Sequence, residues 1–266
     1  MIRAEGAPVD QGRAQGHGVR REIESGLRQL RGHYGAAAWI AARRRARRHC
    51  GRALVRQLPW QGERLEGIAA GAGVSLAALT LCEALYRVQG AGFQRGTQLE
   101  ASFEVPAELE PLLALRASRP DAGGFPSVEL TCAPFTGCLG GVNSEGIGVI
   151  CLADRAPGGV SLRFLAQEML FRARDLEAGI EHLRRRAAYL GGTGQLLLAD
   201  SAGAARCVGF DAGSVRQEPA CTGDLAREPM LRIDTSLSTL VWGRRGADAC
   251  AVRPPEPLAE SVAKRR

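Results

Sequence analysis

Lysine and asparagine are almost missing from this chain: Lys264 and Asn143 are the only ones among its 266 residues. Every other basic residue is arginine, and the formal net charge is +7. Such a bias toward Arg, Ala and Gly is that of a GC-rich coding sequence, and it accounts for much of the arginine without any anionic partner. No apolar run reaches the ~20 residues that a membrane span needs. Nor does an apolar stretch follow the start Met1-Ile2-Arg3-Ala4-Glu5-Gly6, so no secretory signal is expected and the reading is cytoplasmic. No C-x-x-C pair occurs among the eight cysteines, and only Cys50 has a neighbouring histidine, His49, so zinc-ligand spacing is absent. Neither a metal nor a cofactor is expected. Free thiols, mostly buried as small hydrophobes, are.

What is present reads as one α+β domain spanning residues 1–266, with 45% hydrophobic and 24% charged residues. The first 90 residues are helical in pattern. Val19, Ile23, Leu27 and Leu30 recur at helical spacing, as do Trp39, Cys50, Leu54 and Leu58, with Pro59 closing that second helix. A third helix is expected from about Glu63 to the Gly71-Ala72-Gly73 break, and a fourth behind Ser75 as N-cap. Beyond Gly90 the period changes to strands. Expected are Thr97 to Glu104, Leu112 to Arg119, Ser127 to Cys132, and Ile147 to Ala153, the last apolar throughout as in a strand buried on both faces. Two helices follow, one striped by Leu162, Leu165, Met169 and Ala173, the other capped by Asp175. Strands resume from Gln195 to Asp200, Ala205 to Phe210, Leu237 to Trp242 and Ala249 to Arg253. Residues 91–253 form the expected core, and 254–266 a loose, Pro-rich and charged tail. Strands bracketing a helical pair suggest two packed sheets with helical cover.

Several segments, in order, resemble the acyl-coenzyme A:6-aminopenicillanic acid acyltransferase family, a branch of the cysteine N-terminal-nucleophile hydrolases. They are Gly12, Gly16 and Gly18 ahead of the Val19 helix; the run Leu65-Glu66-Gly67-Ile68-Ala69-Ala70-Gly71-Ala72-Gly73; Gly140 to Gly146 around Asn143; and Leu197-Leu198-Ala199-Asp200 followed by Gly203. The resemblance spans about Gly12 to Ala251 and implies a four-layer αββα sandwich. It also implies acyl transfer or amide hydrolysis by a cysteine that becomes the chain's N-terminus, with its own α-amino group as base. An aspartate would orient that amine, and asparagine amides would hold the oxyanion.

At the positions the resemblance assigns to this machinery, the residues differ. The nucleophile's stretch is Gln89-Gly90-Ala91-Gly92-Phe93-Gln94-Arg95-Gly96, with Ala91 and no cysteine. If Arg95-Gly96 is the turn, only Ala91 to Gln94 remain for a strand that ordinarily takes ~5–6 residues. Glu104 follows Phe103 where the family has Asp, and the late oxyanion asparagine falls on Gly223 within Cys221-Thr222-Gly223-Asp224. Asn143 alone keeps the matching residue type, either as an oxyanion donor or as a turn residue bonded to its own loop. Cys138, five residues before Asn143, is the alternative nucleophile. A buried structural thiol is the preferred reading of it, since no His or Lys stands near to lower its pKa.

His17, His33, His49 and His182 fall in or beside predicted helices and assemble into no Ser-His-Asp arrangement. Arg43-Arg44-Arg45 with Arg47-Arg48, and Arg184-Arg185-Arg186, read as solvated faces, because few aromatics are interleaved for base stacking. The expectation is therefore an inactive homologue with the ancestral sandwich. It would bind a small acyl or amide ligand or pair with a second copy or an active relative, with no specific nucleic acid and no membrane.

Overall fold

The computed structural model describes residues 1–86, 89–121, 123–154, 161–190, 193–211, 214–218, 230–243 and 250–255. Strand β1 (Ile2–Gly6) leads into helices α1 (Pro8–Gly18), α2 (Arg20–Gly32), α3 (Ala36–Ala46), α4 (Arg52–Gln57), α5 (Pro59–Ala72) and α6 (Leu76–Leu85). The hairpin β2 (Gln89–Arg95) and β3 (Gln98–Glu104) follows, then β4 (Leu113–Pro120), β5 (Ser127–Cys132), β6 (Gly140–Asn143) and β7 (Gly148–Asp154). Helices α7 (Leu162–Arg172) and α8 (Leu176–Leu190) precede β8 (Gly194–Ala199) and β9 (Ala205–Asp211). Four short strands end the fold: β10 (Ser214–Glu218), β11 (Met230–Asp234), β12 (Thr239–Gly243) and β13 (Cys250–Val252).

The strands form one continuous 13-stranded sheet with two arms, the first and the second sheet. In the first the order is β1-β4-β5-β6-β7-β8-β9-β10, antiparallel except for the parallel pair β1–β4. The second runs β2-β3-β11-β12-β13, antiparallel throughout. A single backbone pairing, Gln89 with Ala153, links them.

Alternation along β7 and β8 explains the layering. Ile150, Leu152 and Leu197 point to one side, where they meet Leu99, Ala101 and Phe103 of β3 and Leu231 and Ile233 of β11 in a core between the sheets. Val149, Cys151, Leu196 and Leu198 point the other way, into a second core shared with α5, α6, α7 and α8. A strand buried on both faces has to be apolar at every position, as the run from Ile147 is. Each fully buried Leu, Ile or Phe contributes about 1.5–3 kcal/mol. The molecule is thus α+β. The sequence pattern predicts two covering helical layers; among the described residues the helices build one, on the first sheet, and none forms a layer on the second.

Helix α1 has no apolar stripe; it buries Gln11, Gly12, Gln15 and Gly16. Gly12 and Gly16 let its backbone lie directly on α5 at Gly67 and Gly71. A Cβ on Gly12 would collide with the Arg64 carbonyl oxygen, and one on Gly67 with that of Val9. The glycines expected to precede the first helix therefore lie inside a helix of their own. The third expected helix begins at Pro59 rather than near Glu63, because Pro59 occupies the first helical turn, where its missing N–H costs nothing. Gly73 ends that helix in the left-handed region, at φ 68°. The expected tail lies outside the described residues from 256 onward.

Candidate functional site

The hairpin β2–β3 carries the position where a nucleophile is expected. Strand β2 is not shortened: Gln89 and Gly90 belong to it, and all seven of its residues pair with β3. Ala91 lies opposite Ser102, and Glu104 opposite Gln89. Ala91 and Glu104 are both exposed. Their neighbours Gly90 and Gly92 face inward, where a side chain would strike Phe103 and Leu152. Glycine is thus required on the inner side of this strand, and what faces outward is a methyl group.

Asn143 sits at the end of β6 and points the opposite way, into the helical layer. Its Oδ1 accepts from the backbone N–H groups of Glu145 (3.1 Å) and Ile147 (2.9 Å). Its Nδ2 donates to the carbonyls of Leu170 (3.1 Å) and Ala173 (2.8 Å) at the C-terminus of α7. Those are carbonyls that a helix end leaves without intrahelical partners. The side chain is fully buried, and both amide hydrogens are in use. Asn143 is thus turned into the helical layer, whereas Ala91 and Glu104 are exposed. The structure does not bring the three together. Gly223 lies outside the described residues.

Cys138 is buried to 0% exposure in the stretch between β5 and β6, its backbone N–H bonded to the Arg163 carbonyl at 3.2 Å. Burial drives its thiol well above the ordinary range, and the Glu129 carboxylate adds to the shift; Arg116 and Arg64 oppose both. Burial likewise pushes the Cys132 thiol up to about 12. A thiol held in the neutral form is a poor nucleophile at neutral pH.

Around Cys138 lies a set of buried charges that the sequence reading did not single out. Arg116 of β4 donates to Glu129 Oε2 (2.7 Å), Gln15 Oε1 (2.9 Å), Gln167 Oε1 (2.6 Å) and the carbonyls of Phe135 (3.0 Å) and Thr136 (2.7 Å). All five of its donors have an acceptor. Glu129 also accepts from Ser127 Oγ (2.6 Å) and Gln167 Nε2 (2.7 Å). Burial alone would raise this carboxyl, but Arg116, Arg64 and the two hydrogen bonds outweigh it and hold it below its usual range. One guanidinium thereby ties β4 to α1, to the segment 133–136 and to α7.

Two further centres repeat the device. Arg163 bonds Ser161 Oγ (2.8 Å) and the carbonyls of Glu83 (3.1 Å) and Tyr86 (3.2 Å), and stands 3.9 Å from the Phe135 ring centroid. Glu168 receives Trp60 Nε1, Arg172 Nε (3.1 Å) and the His182 ring at 3.1 Å. His182, expected to be structural or on the surface, is thus the partly exposed partner of a buried carboxylate.

A signal for these centres was available: Arg116 and Glu129 are charged residues within strands that are otherwise largely apolar. Their partners lie as far as 101 positions away, as Gln15 does from Arg116, which pattern alone does not reveal. The Arg116 network is closed and holds elements together, whereas the Gln61 amide, Arg64 Nε and Nη1 and Glu83 Oε2 are buried without a hydrogen-bond partner, and burial raises the Glu83 carboxyl above its usual range. Among the described residues no three His, Cys, Asp or Glu side chains stand together as metal ligands would. No family model matches the chain, and no curated protein matches it.

Proposed function

We propose that this chain is a catalytically silent relative of the penicillin acyltransferase-type cysteine N-terminal-nucleophile hydrolases. Its sandwich, of αββα ancestry, serves to bind a small acyl or amide compound or to pair with another chain rather than to cleave. The observation that carries the reading is Ala91. It stands on the first strand after the helical segment, where that chemistry requires a thiol and an amine, and it has neither. The engagement of the Asn143 amide with Leu170 and Ala173 supports the same reading, because no donor is left for an oxyanion. A buried core shared by the two arms of the sheet, with the glycine-spaced α1–α5 contact where the resemblance falls, supports the ancestry.

An alternative chemistry through Cys138 would require a thiolate and an approach from solvent, whereas this thiol is raised in pKa and fully buried. Assays with an acyl-coenzyme A thioester and a simple N-acyl amide test the proposal. Turnover should be no faster than that of the Cys138→Ala variant. Acyl transfer that disappears in Cys138→Ala would make the protein an active enzyme and end the proposal.

A further inference from the structure

Helix α3, the π-helical turn Arg47–Gly51 and α4 run on without a break from Ala36 to Gln57. They make one rod about 30 Å long. Trp39, Ala46, Cys50 and Leu54 are its buried side. On the outer side Arg44, Arg45, Arg47, Arg48, Arg52 and Arg56 are exposed, and none has an ion-pair partner among the described residues. Between them stand the aliphatic side chains of Ile40, 51% exposed, and Val55, 64% exposed. A groove of about 620 Å³ along one flank adds Leu76 and Ala77 of α6 between Arg43, Arg47, Arg52 and Arg56.

Coding bias explains why these cations are arginines. It does not explain why no acid lies among them along the chain, Glu66 of α5 being the acid that lines the groove. From Ser25 to Gly62 the chain has nine arginines and no Asp or Glu, whereas its average of 28 acids in 266 residues would place about four in those 38 positions. The second arginine run behaves differently. Arg184 and Arg185 face Glu181 at 3.6 and 3.8 Å, and Arg186 donates to the Gln57 carbonyl at 2.7 Å. That run is neutralised or bonded within the fold; in the α3–α4 rod Arg43 donates to Ser75 Oγ (2.5 Å), but the six exposed arginines have no ion-pair partner among the described residues.

We propose that the α3–α4 rod is a docking face for an anionic phospholipid surface, on which the protein lies without crossing it. A convex row of unpaired guanidinium groups suits a plane of phosphates. The aliphatic tips of Ile40 and Val55 gain from the boundary between headgroups and acyl chains. On a nucleic acid those tips would find only phosphate and sugar, and the exposed side of the rod has no Phe, Tyr or Trp to stack on a base. Composition alone assigns these arginines to a solvated face; their convergence around exposed aliphatic residues, with Glu66 as the acid lining the groove, is what the structure adds. The inference is independent of whether the sandwich is catalytically silent.

Co-sedimentation of the full chain with lipid vesicles is the test. Vesicles of phosphatidylcholine carrying a third of phosphatidylglycerol should pellet the protein, and phosphatidylcholine alone should not. Arg44→Glu with Arg48→Glu should lower the partition coefficient about tenfold or more, whereas Arg184→Glu with Arg185→Glu should leave it unchanged. Ile40→Ser with Val55→Ser should weaken it about threefold or more, including in moderate salt. Circular dichroism of each variant confirms that the fold is kept. Failure to pellet with phosphatidylglycerol, or equal losses from both charge reversals, would overturn the proposal. So would tighter binding to duplex DNA that is indifferent to Ile40→Ser, which would assign the rod to nucleic acid.

Discussion

Asn143 and Ala91 stand on the two arms of the sheet, in opposite surroundings. Between the first sheet and its helices, Asn143, Arg116 and Glu129 and, from α7, Gln167 are fully buried or nearly so, and each is bonded to several partners. On the second sheet Ala91 and Glu104 are exposed, with no helical layer over them among the described residues. A buried polar group that lacks a partner costs far more than one in water. On the covered side the Arg116 donors and the Asn143 amide are matched to acceptors, so neither is left to hold an oxyanion, although Glu83 Oε2 and the Gln61 amide remain without hydrogen-bond partners there. On the open side the expected nucleophile position holds only a methyl group. The machinery that the resemblance implies is lacking at these positions on both sides, for opposite reasons.

That contrast should appear first in stability. Arg116→Met leaves Glu129 buried without its main cation and should cost about 3–5 kcal/mol in urea unfolding. Glu104→Gln on the open side should change stability by less than about 0.5 kcal/mol. Equal effects would mean that the two sides do not differ as described.

Asn143→Ala comes next. It strips the carbonyls of Leu170 and Ala173 and the N–H of Ile147 of their partner, so a loss of about 2–3 kcal/mol is expected. A smaller loss, together with new affinity for an acyl compound, would mean that the amide is available for function.

Protonation sharpens the comparison further. For Glu168 burial acts to raise the pKa, but His182, Arg172 and Trp60 prevail and hold it below the usual range, as Arg116 and its neighbours do for Glu129. A carboxyl with a depressed folded-state pKa contributes stability above its unfolded value of about 4.3 and loses it as the pH falls through the folded value. Acid unfolding should therefore steepen below about pH 4.3, by about 1.4 kcal/mol for each unit of depression. Glu129→Gln should flatten that limb, whereas Glu104→Gln should not.

The smallest effect is expected from restoring a thiol. Ala91→Cys should fold normally and stay a single chain of 28.3 kDa, because the Asn143 amide faces away from it. Cleavage just before residue 91 would show that the rest of the machinery is intact.

Periodicity made much of this architecture legible. Helices α2 to α8 and strands β3, β4, β5, β7, β8, β9 and β12 announce themselves by apolar spacing of about 3.6 or of 2. What escaped lacked an apolar signature. Helix α1 is held by glycine backbone contact and buried glutamines, β6 begins with Gly140-Gly141, and β10 carries Arg216-Gln217-Glu218. Strand β2 looked too short because Gln89 and Gly90 resemble a loop in composition, although their backbone pairs with Phe103 and Glu104. The site residues were located by resemblance, and resemblance gives position along the chain but not the direction in which a side chain points. Asn143 is the clearest instance: its place at the end of a strand is as expected, and its amide turns toward α7 rather than toward β2. The Arg116 network was illegible for a different reason, since its members meet only after the chain has folded.

The most direct test of catalytic silence is the alkylation rate of individual thiols in the native protein at pH 7, read by mass spectrometry of its peptides. Cys138 and Cys132, buried and held in the neutral form, should label slowly and reach full modification only on unfolding. Rapid, selective labelling of Cys138 in the folded chain would contradict the account, for it would show an ionised and accessible thiol where the structure has a buried neutral one.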